Sequence, residues 1–302
     1  MKRSIFTTTF LLCCAALYGQ WSADMNQDQR IVSTFFSQVK AEEGASMGET
    51  IIKTALFFLE TPYVGHTLEV GDDERLVINV RELDCTTFLE SCVALSNALQ
   101  MNTASFDDYC KILERIRYRA GVLNGYVSRL HYTTDWIADN VAKGFVEDIN
   151  QKIGGEPFNV QVSFMSSNPD SYKHLKGQPE RIARIKQIEE SINKRGTYHY
   201  IPKGKIPLLQ AQIKSGDLIG FTTSVKGMDI SHVGIAYWQN NVLTFIHASS
   251  TAKKVIVNPE SLFEYCNKMG SNTGIVVLRC KETSQVASIA KDCHPVKIVD
   301  EF

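Results

Sequence analysis

The spacing of hydrophobic residues changes once along this chain. In the first part, apolar residues recur at intervals of three and four, which predicts helices at about 28–59, 86–99 and 106–119. Beyond Gly216 the apolar period shortens to two, which predicts four strands in the segments GDLIGFTT, ISHVGIAYW, VLTFIHASS and GIVVLRC. Helices followed by strands favour an α+β fold in which the helix at 86–99 packs on an antiparallel sheet.

Two segments between these regions have weaker patterns. LVINVREL at 76–83 alternates apolar and polar residues, which predicts a short strand leading into the next helix. Residues 121–212 form a long irregular stretch whose charged run, ERIARIKQIEESINK, predicts one solvated amphipathic helix. We therefore expect an insertion with helical additions at about 121–212.

The N-terminus, MKRSIFTTTFLLCCAALYGQ, has the features of a secretory signal peptide. Two basic residues precede an apolar run, and small residues follow near Gly19. We expect residues 1–19 to be removed and residues 20–302 to form a single domain that is exported, to the periplasm in our interpretation. Lipid attachment at Cys13 or Cys14 is less favoured, because large side chains precede them.

The composition limits the classes of partner. The 302 residues are 44% hydrophobic and 22% charged, and 32 Lys and Arg balance 33 Asp and Glu. This balance creates no overall field toward nucleic acid or an acidic membrane surface. No later segment approaches the roughly 20 apolar residues of a membrane span, so no stable membrane insertion is expected after signal removal.

The cysteines and common motifs exclude several further classes. The cysteines beyond the signal peptide are sparse, irregularly spaced and without a CxxC pair, which does not fit a disulfide framework. The chain contains no HExxH, Walker loop or GxGxxG motif. We therefore predict neither a metal nor a cofactor.

One cysteine lies at an unusual position for a structural residue. In RELDCTTFLESCVAL, Cys85 falls at the start of a predicted helix that Asp84 caps, whereas Cys92 falls within its apolar stripe. Unpaired N–H groups and the helix dipole at that end favour thiolate, so a lowered thiol pKa is expected. Cys85 is therefore a candidate nucleophile, and the alternative is that it is a small buried hydrophobe.

Two histidines in the predicted strands are candidate partners for the thiol. If Asn240 and Asn241 form a two-residue hairpin loop, His247 faces Gly234, and His232 points to the same face as His247. His232 then takes the thiol proton, and His247 fixes its tautomer. A three-residue loop would put the two rings on opposite faces, and both histidines would then be ordinary core or rim residues.

The order of motifs resembles a known superfamily. TPYVG, LDCTTFLE, SGDLIGF, SHVGIAYW and FIHAS are similar to motifs of the NlpC-type cysteine hydrolases of bacterial cell walls. The resemblance implies a papain-like fold with Cys85 as nucleophile, His232 as base and acid, and His247 as orienting residue. It also implies that Tyr63 lies near the oxyanion.

A smaller branch of that superfamily is more similar still. Thr86 and Thr87 follow the cysteine where common members have Ser-Gly, and about 90 extra residues separate helix and sheet. DCTTF, RLHYTTDW and the long insertion resemble an N-acetylmuramoyl-L-alanine amidase-like branch. This resemblance covers most of the chain.

The segment RLHYTTDW also has a composition suited to a wall fragment. An Arg fork fits a D-Glu carboxylate, and aromatic faces fit a sugar ring. The predicted substrate-binding residues are Tyr63, Arg129, His131, Tyr132 and Trp136. The alternative is a structural corner, in which His131 is satisfied in the core and Asp135 caps a helix that begins at Trp136.

These observations predict a cell-wall hydrolase that acts on peptidoglycan or muropeptides. The favoured reaction is cysteine-dependent cleavage of the N-acetylmuramoyl–L-alanine amide bond. One alternative is a γ-D-glutamyl–diamino acid endopeptidase of the same fold, and another is a non-catalytic wall-binding module. A zinc amidase built from His131, His232, His247 and an Asp is disfavoured by the lack of a tight ligand motif.

Overall fold

The computed structural model describes residues 25–101, 104–196 and 198–282. The predicted signal peptide at 1–19 and Cys293 lie outside these residues. The described chain forms an α+β fold around one antiparallel sheet, which confirms the predicted class. The finer assignment to the NlpC-type papain-like fold stays a prediction.

The elements are numbered in chain order among the described residues. The α-helices are α1 (25–38), α2 (Met47–Phe57), α3 (Cys85–Leu99), α4 (Phe106–Arg117), α5 (Thr133–Ala142), α6 (Phe164–Ser167), α7 (Pro179–Lys194), α8 (Ile206–Leu209) and α9 (Leu262–Lys268). The strands are β1 (Val146–Asp148), β2 (Glu156–Phe158), β3 (Tyr198–Pro202), β4 (Leu218–Thr223), β5 (Ile230–Gln239), β6 (Val242–Ser249), β7 (Lys254–Val257) and β8 (Asn272–Cys280).

The sheet carries helices on both faces. Its strand order is β2-β3-β8-β4-β5-β6-β7, and β1 also pairs with β8. Because successive side chains alternate between faces, Val233 and Ile235 of β5 join the core formed with α3. Ala236 of β5 joins the opposite core, which contains Leu262 and Cys266 of α9. The predicted helix on a sheet is therefore confirmed, and β4, β5, β6 and β8 are the four predicted strands.

Helix α3 begins as the sequence predicts. The Asp84 side chain accepts a hydrogen bond from the Thr87 N–H at 2.8 Å, and the Thr87 hydroxyl accepts from the Asp84 N–H at 2.9 Å. This reciprocal cap fixes the first turn, and with it the position of Cys85. Every residue of 87–99 is buried, so the helix is central to the core rather than one-sided.

Two local predictions are wrong. Residues 76–83 form no strand, because side chains bind the backbone there: Asp28 accepts from the Val80 N–H at 3.0 Å, and Arg117 donates to the Val77 carbonyl at 2.7 Å. The predicted helix at 28–59 is divided into α1 and α2 around Gly44, whose φ of 79° is incompatible with a continuing helix.

The 121–212 segment contains more strand than expected. It includes helices α5 to α8, but β1 and β3 pair with β8 of the main sheet. Its remaining apolar side chains form a separate small core that includes Tyr132, Leu175 and Ile185. None of the helices in the described residues has the length and apolar character needed to cross a membrane.

Candidate active site

The hairpin between β5 and β6 brings two histidines together. Gln239 pairs with Val242, and Asn240 and Asn241 have φ angles of 50° and 63°, which confirms the two-residue loop. His232 Nε2 and His247 Nδ1 are 2.7 Å apart, so the two rings share one hydrogen bond. The rings meet edge to face, with an interplanar angle of 84°.

A glycine makes room for this pair. The β5–β6 register places Gly234 opposite His247. A Cβ atom at Gly234 would lie 2.8 Å from the Phe245 ring and 3.2 Å from the His247 Cβ. Any larger residue at this position would therefore crowd the Phe245 ring, which packs on His247, and the His247 side chain itself.

Aromatic side chains surround the histidine pair. Phe221 stacks on His232, and Phe245 packs on His247 with ring centroids 4.5 Å apart. The ring of Tyr265, from α9, lies 6.2 Å from His232 and 5.8 Å from His247. Burial lowers the pKa of His232 to about 4 and that of His247 to about 3, so both rings are neutral at neutral pH.

Cys85 approaches this pair from the start of α3. Its half-buried side chain is a free thiol, and its sulfur accepts a hydrogen bond from the backbone of Val233, the residue after His232. Burial raises the pKa of Tyr265, and the nearby charge of a Cys85 thiolate raises it further. The same two causes raise the pKa of Tyr63. The structure therefore gathers Cys85, both histidines and two tyrosines at one end of β5.

The predicted lowering of the Cys85 pKa is wrong in direction. Burial raises the pKa of the thiol to about 11, and the carboxylate of Asp84 adds to the rise. Hydrogen bonds from Val233 and Thr86 oppose the rise but are smaller. The helix terminus favours thiolate, but burial of the sulfur and the negative charge of the Asp84 cap outweigh it. The Cys85 thiol and both imidazoles are therefore neutral at rest.

The Asp84 carboxylate can be tested without losing the helix cap. Asp84→Asn retains the side-chain oxygen that accepts from Thr87 but removes the negative charge beside Cys85. We expect the pKa of Cys85 to fall, so iodoacetamide alkylation at pH 8 becomes faster and its pH midpoint moves downward. The measurement is the rate of Cys85 labelling, followed by peptide mass spectrometry from pH 6 to 11.

Asp108→Asn is the matched control, since Asp108 lies in the first turn of α4 rather than α3. An unchanged or higher midpoint in Asp84→Asn would show that the Asp84 charge does not act on the thiol.

The other predicted substrate residues have internal partners. Arg129 is buried, and its guanidinium contacts the carboxylates of Glu69 at 2.7 Å and Glu74 at 3.3 Å. His131 Nε2 lies 2.9 Å from the Tyr126 carbonyl oxygen. The pKa of His131 is well below its ordinary value, mainly because the ring is buried. Substrate contact by Arg129 and His131 stays a prediction.

Tyr132 and Trp136 are also held inside the protein. The Tyr132 hydroxyl donates to Glu189 at 2.7 Å, and the Trp136 indole N–H donates to Glu90 at 3.2 Å. Trp136 and His131 line a cavity of about 40 Å³ that also touches Thr86, next to Cys85. Substrate contact by Tyr132, Trp136 and Tyr63 stays a prediction. Tyr63 is near enough to Cys85 that, after burial, a thiolate charge there raises its pKa.

The predicted role of Asp135 as a helix cap is wrong. Helix α5 begins at Thr133, and the buried Asp135 carboxylate accepts from Arg119 at 2.6 Å and Arg195 at 2.7 Å. The N-terminus of α5 is instead capped by Asp229, which accepts from the Thr134 N–H at 2.7 Å. This cap comes from a distant residue, so local sequence gives no signal for it.

Sequence reasoning missed Tyr265 as a neighbour of the histidines. The spacing of Leu262, Tyr265 and Cys266 is helical, which was the available signal for α9. Across residues 25–101, 104–196 and 198–282, no three or more His, Cys, Asp or Glu side chains are arranged to hold a metal ion.

Comparisons with known proteins identify the family of this chain. A family model described as AmiA-like, N-acetylmuramoyl-L-alanine amidase-like, matches residues 53–275. An N-acetylmuramoyl-L-alanine amidase from Bacteroides uniformis is 40% identical, with a TM-score of 0.76 over 79% of this chain and 100% of that chain. None of the curated proteins compared matches this chain.

Two further solved structures are similar. A Bacteroides fragilis protein provisionally named a xylanase is 41% identical, with a TM-score of 0.72 over 75% of this chain and 99% of that chain. A Legionella pneumophila protein is 23% identical, with a TM-score of 0.64 over 86% of this chain and 97% of that chain. The Legionella likeness shows the fold alone.

Proposed function

Because this chain belongs to the AmiA-like, N-acetylmuramoyl-L-alanine amidase-like family of cell-wall hydrolases, we propose that it is a cysteine amidase. The substrate is the amide bond between N-acetylmuramic acid and L-alanine in peptidoglycan or its muropeptides. The proposal includes export to the periplasm, which the signal-peptide pattern at 1–19 supports. The observation that carries the chemistry is the 2.7 Å contact between His232 and His247, together with a helix-start thiol that accepts a hydrogen bond from Val233, the residue after His232.

The first half of the reaction forms a thioester. The Cys85 sulfur attacks the lactyl carbonyl carbon, and its proton passes to His232 Nδ1, the ring nitrogen that does not face His247. The new oxyanion accepts from the backbone N–H of Cys85 at the helix start, with Tyr63 nearby. The tetrahedral intermediate collapses as His232 gives the proton to the departing L-alanine amine, leaving an acyl thioester on Cys85.

The second half releases the sugar acid. His232, neutral again, accepts a proton from water, and the hydroxide attacks the thioester carbonyl. The carbon–sulfur bond breaks, the thiolate regains a proton from His232, and the muramic acid product leaves as a carboxylic acid that then loses its proton to water. Both resting groups are neutral, so the histidine acts as a general base during attack.

The bond that is cut can be read from the products of one defined disaccharide-tetrapeptide. We expect mass spectrometry to show the free disaccharide and an intact tetrapeptide with an L-alanine amino terminus. Activity should survive EDTA and should be absent in Cys85→Ala. A disaccharide that retains L-Ala–D-Glu would identify the endopeptidase instead, and binding without any product would identify a wall-binding module.

A further inference from the structure

The second ring nitrogen of His247 has no assigned role in this mechanism. His247 Nε2 is buried and makes no hydrogen bond of standard geometry, whereas Nδ1 of the same ring is 2.7 Å from His232 Nε2. A buried polar atom without a partner is costly, and so it calls for an explanation.

The single proton between the two rings has two possible positions. If His232 Nε2 carries it, then His232 Nδ1 has a free lone pair and can accept the thiol proton. If His247 Nδ1 carries it, then neutral His232 must hold its own proton on Nδ1, which blocks that acceptance. The contact between the rings does not by itself choose between these tautomers, so a third group has to do so.

The side chain of Asn258 is in position to make that choice. Val257 pairs with Ile246, and the Asn258 N–H donates to the Phe245 carbonyl at 2.8 Å, so Asn258 lies across from Phe245. Phe245 and His247 are two residues apart on β6 and therefore point to the same face. The buried Asn258 is thus a diagonal neighbour of His247.

The orientation of the Asn258 amide is fixed by a backbone carbonyl. Its Nδ2 donates to the Glu260 carbonyl at 2.8 Å, and because a carbonyl only accepts, the nitrogen of the amide must face Glu260. This leaves the amide oxygen for the histidine side. Although burial dominates the pKa of His247, the Asn258 side chain raises that pKa, as an acceptor of the ring N–H does.

We propose that Asn258 is a positioning residue whose Oδ1 accepts from His247 Nε2–H and thereby sets the tautomers of both histidines. With the His247 proton on Nε2, its Nδ1 accepts from His232 Nε2–H, and His232 Nδ1 is left as the free base. When the thiol proton reaches His232 Nδ1, the positive charge is shared through two aligned hydrogen bonds. The role in catalysis rests on the proposed function, but the tautomers do not.

The tautomers are measured directly by long-range ¹⁵N–¹H NMR of the imidazole nitrogens in the full chain. In the wild type at neutral pH we expect Nε2 protonated and Nδ1 unprotonated in both His232 and His247. Asn258→Leu is expected to remove this preference in His247. A wild-type His247 with unprotonated Nε2 would overturn the proposal, whether or not the protein is an amidase.

A matched control separates this positioning role from a purely structural role of Asn258 in the turn at residues 258–260. The Thr244 hydroxyl donates to the carbonyls of Asn258 at 2.7 Å and Glu260 at 2.9 Å, so Thr244→Val loosens the turn without removing the amide. We expect a lower Tm in Thr244→Val with unchanged tautomers. Equal tautomer changes in Thr244→Val and Asn258→Leu would reduce Asn258 to a structural residue and overturn the proposal.

Kinetics give a second readout on the muropeptide substrate. Asn258→Leu is expected to lower kcat by about 10- to 100-fold with little change in KM, a loss of the size seen when groups that orient metal-ligating histidines are removed. Asn258→Asp keeps an acceptor, and its charge raises the pKa values of the two histidines. Its acidic limb of kcat/KM should therefore move to higher pH. An unmoved limb in Asn258→Asp together with full kcat in Asn258→Leu would contradict the proposal.

Discussion

Cys85→Ser is expected to lower kcat/KM for the disaccharide-tetrapeptide by about 10⁴-fold or more. The serine hydroxyl is a much weaker acid than the thiol, and His232 is a weak base because burial lowers its pKa to about 4. The site therefore has little driving force to deprotonate an alcohol. Folding should be nearly unchanged, because Cys85 is only partly buried and the Asp84 cap is retained.

Three further variants test whether the loss of activity comes from the Cys85 thiol and its proton acceptor. Cys85→Ala should be as inactive as Cys85→Ser, and His232→Ala should lose a comparable amount because the proton then has no acceptor. Cys110→Ala, which changes a buried free cysteine in α4, should retain full activity. The measurement is initial rates by product chromatography, with circular dichroism to verify folding. If Cys85→Ser retains most of the wild-type rate, the cysteine mechanism is wrong.

The sheet was predictable where apolar residues specify it. Strands β4, β5, β6 and β8 lie at its centre, and their apolar runs are long enough to show a period. The Asn240-Asn241 loop has a local signature because both residues tolerate positive φ. By contrast, β1 and β2 have three residues each, too few for a period, and they are placed by pairing with distant strands.

The placement of the candidate site residues was predictable, but their electrostatics were not. The positions of Cys85, His232 and His247 follow from a helix start and a hairpin register, both of which are local. The raised pKa of Cys85 depends on burial beneath β5, and the neighbours Tyr265 and Asn258 come from elements that fold onto the hairpin. Such effects arise from packing between distant segments, which one sequence does not reveal.

The same distinction applies to a buried ion pair between α3 and α4. Glu90 of α3 and Arg117 of α4 are each about 3% exposed, and their side chains meet at 2.7 Å. Arg117 also donates to the Val77 carbonyl at 2.7 Å, and Glu90 accepts from the Trp136 indole at 3.2 Å. This network therefore ties α3 to three other parts of the chain that have no shared sequence signal.

Arg117→Met is expected to lower the free energy of unfolding by about 3–5 kcal/mol, because it leaves the Glu90 carboxylate buried without a cation. The measurement is guanidinium unfolding followed by circular dichroism. The surface pair of Lys53 and Glu42, whose side chains are 35% and 72% exposed, gives the control: Lys53→Met should cost less than about 1 kcal/mol.

The double variant Glu90→Leu/Arg117→Met tests whether the loss comes from the unpaired charge. Removing both charges also removes their desolvation cost, so the double variant should be more stable than Arg117→Met. A residual loss of about 1–3 kcal/mol for each group left unsatisfied is expected at the Val77 carbonyl and the Trp136 N–H. If the double variant is instead less stable than Arg117→Met, the lost packing and hydrogen bonds outweigh the charge. In that case the pair holds α3 in place by contact rather than by electrostatic compensation.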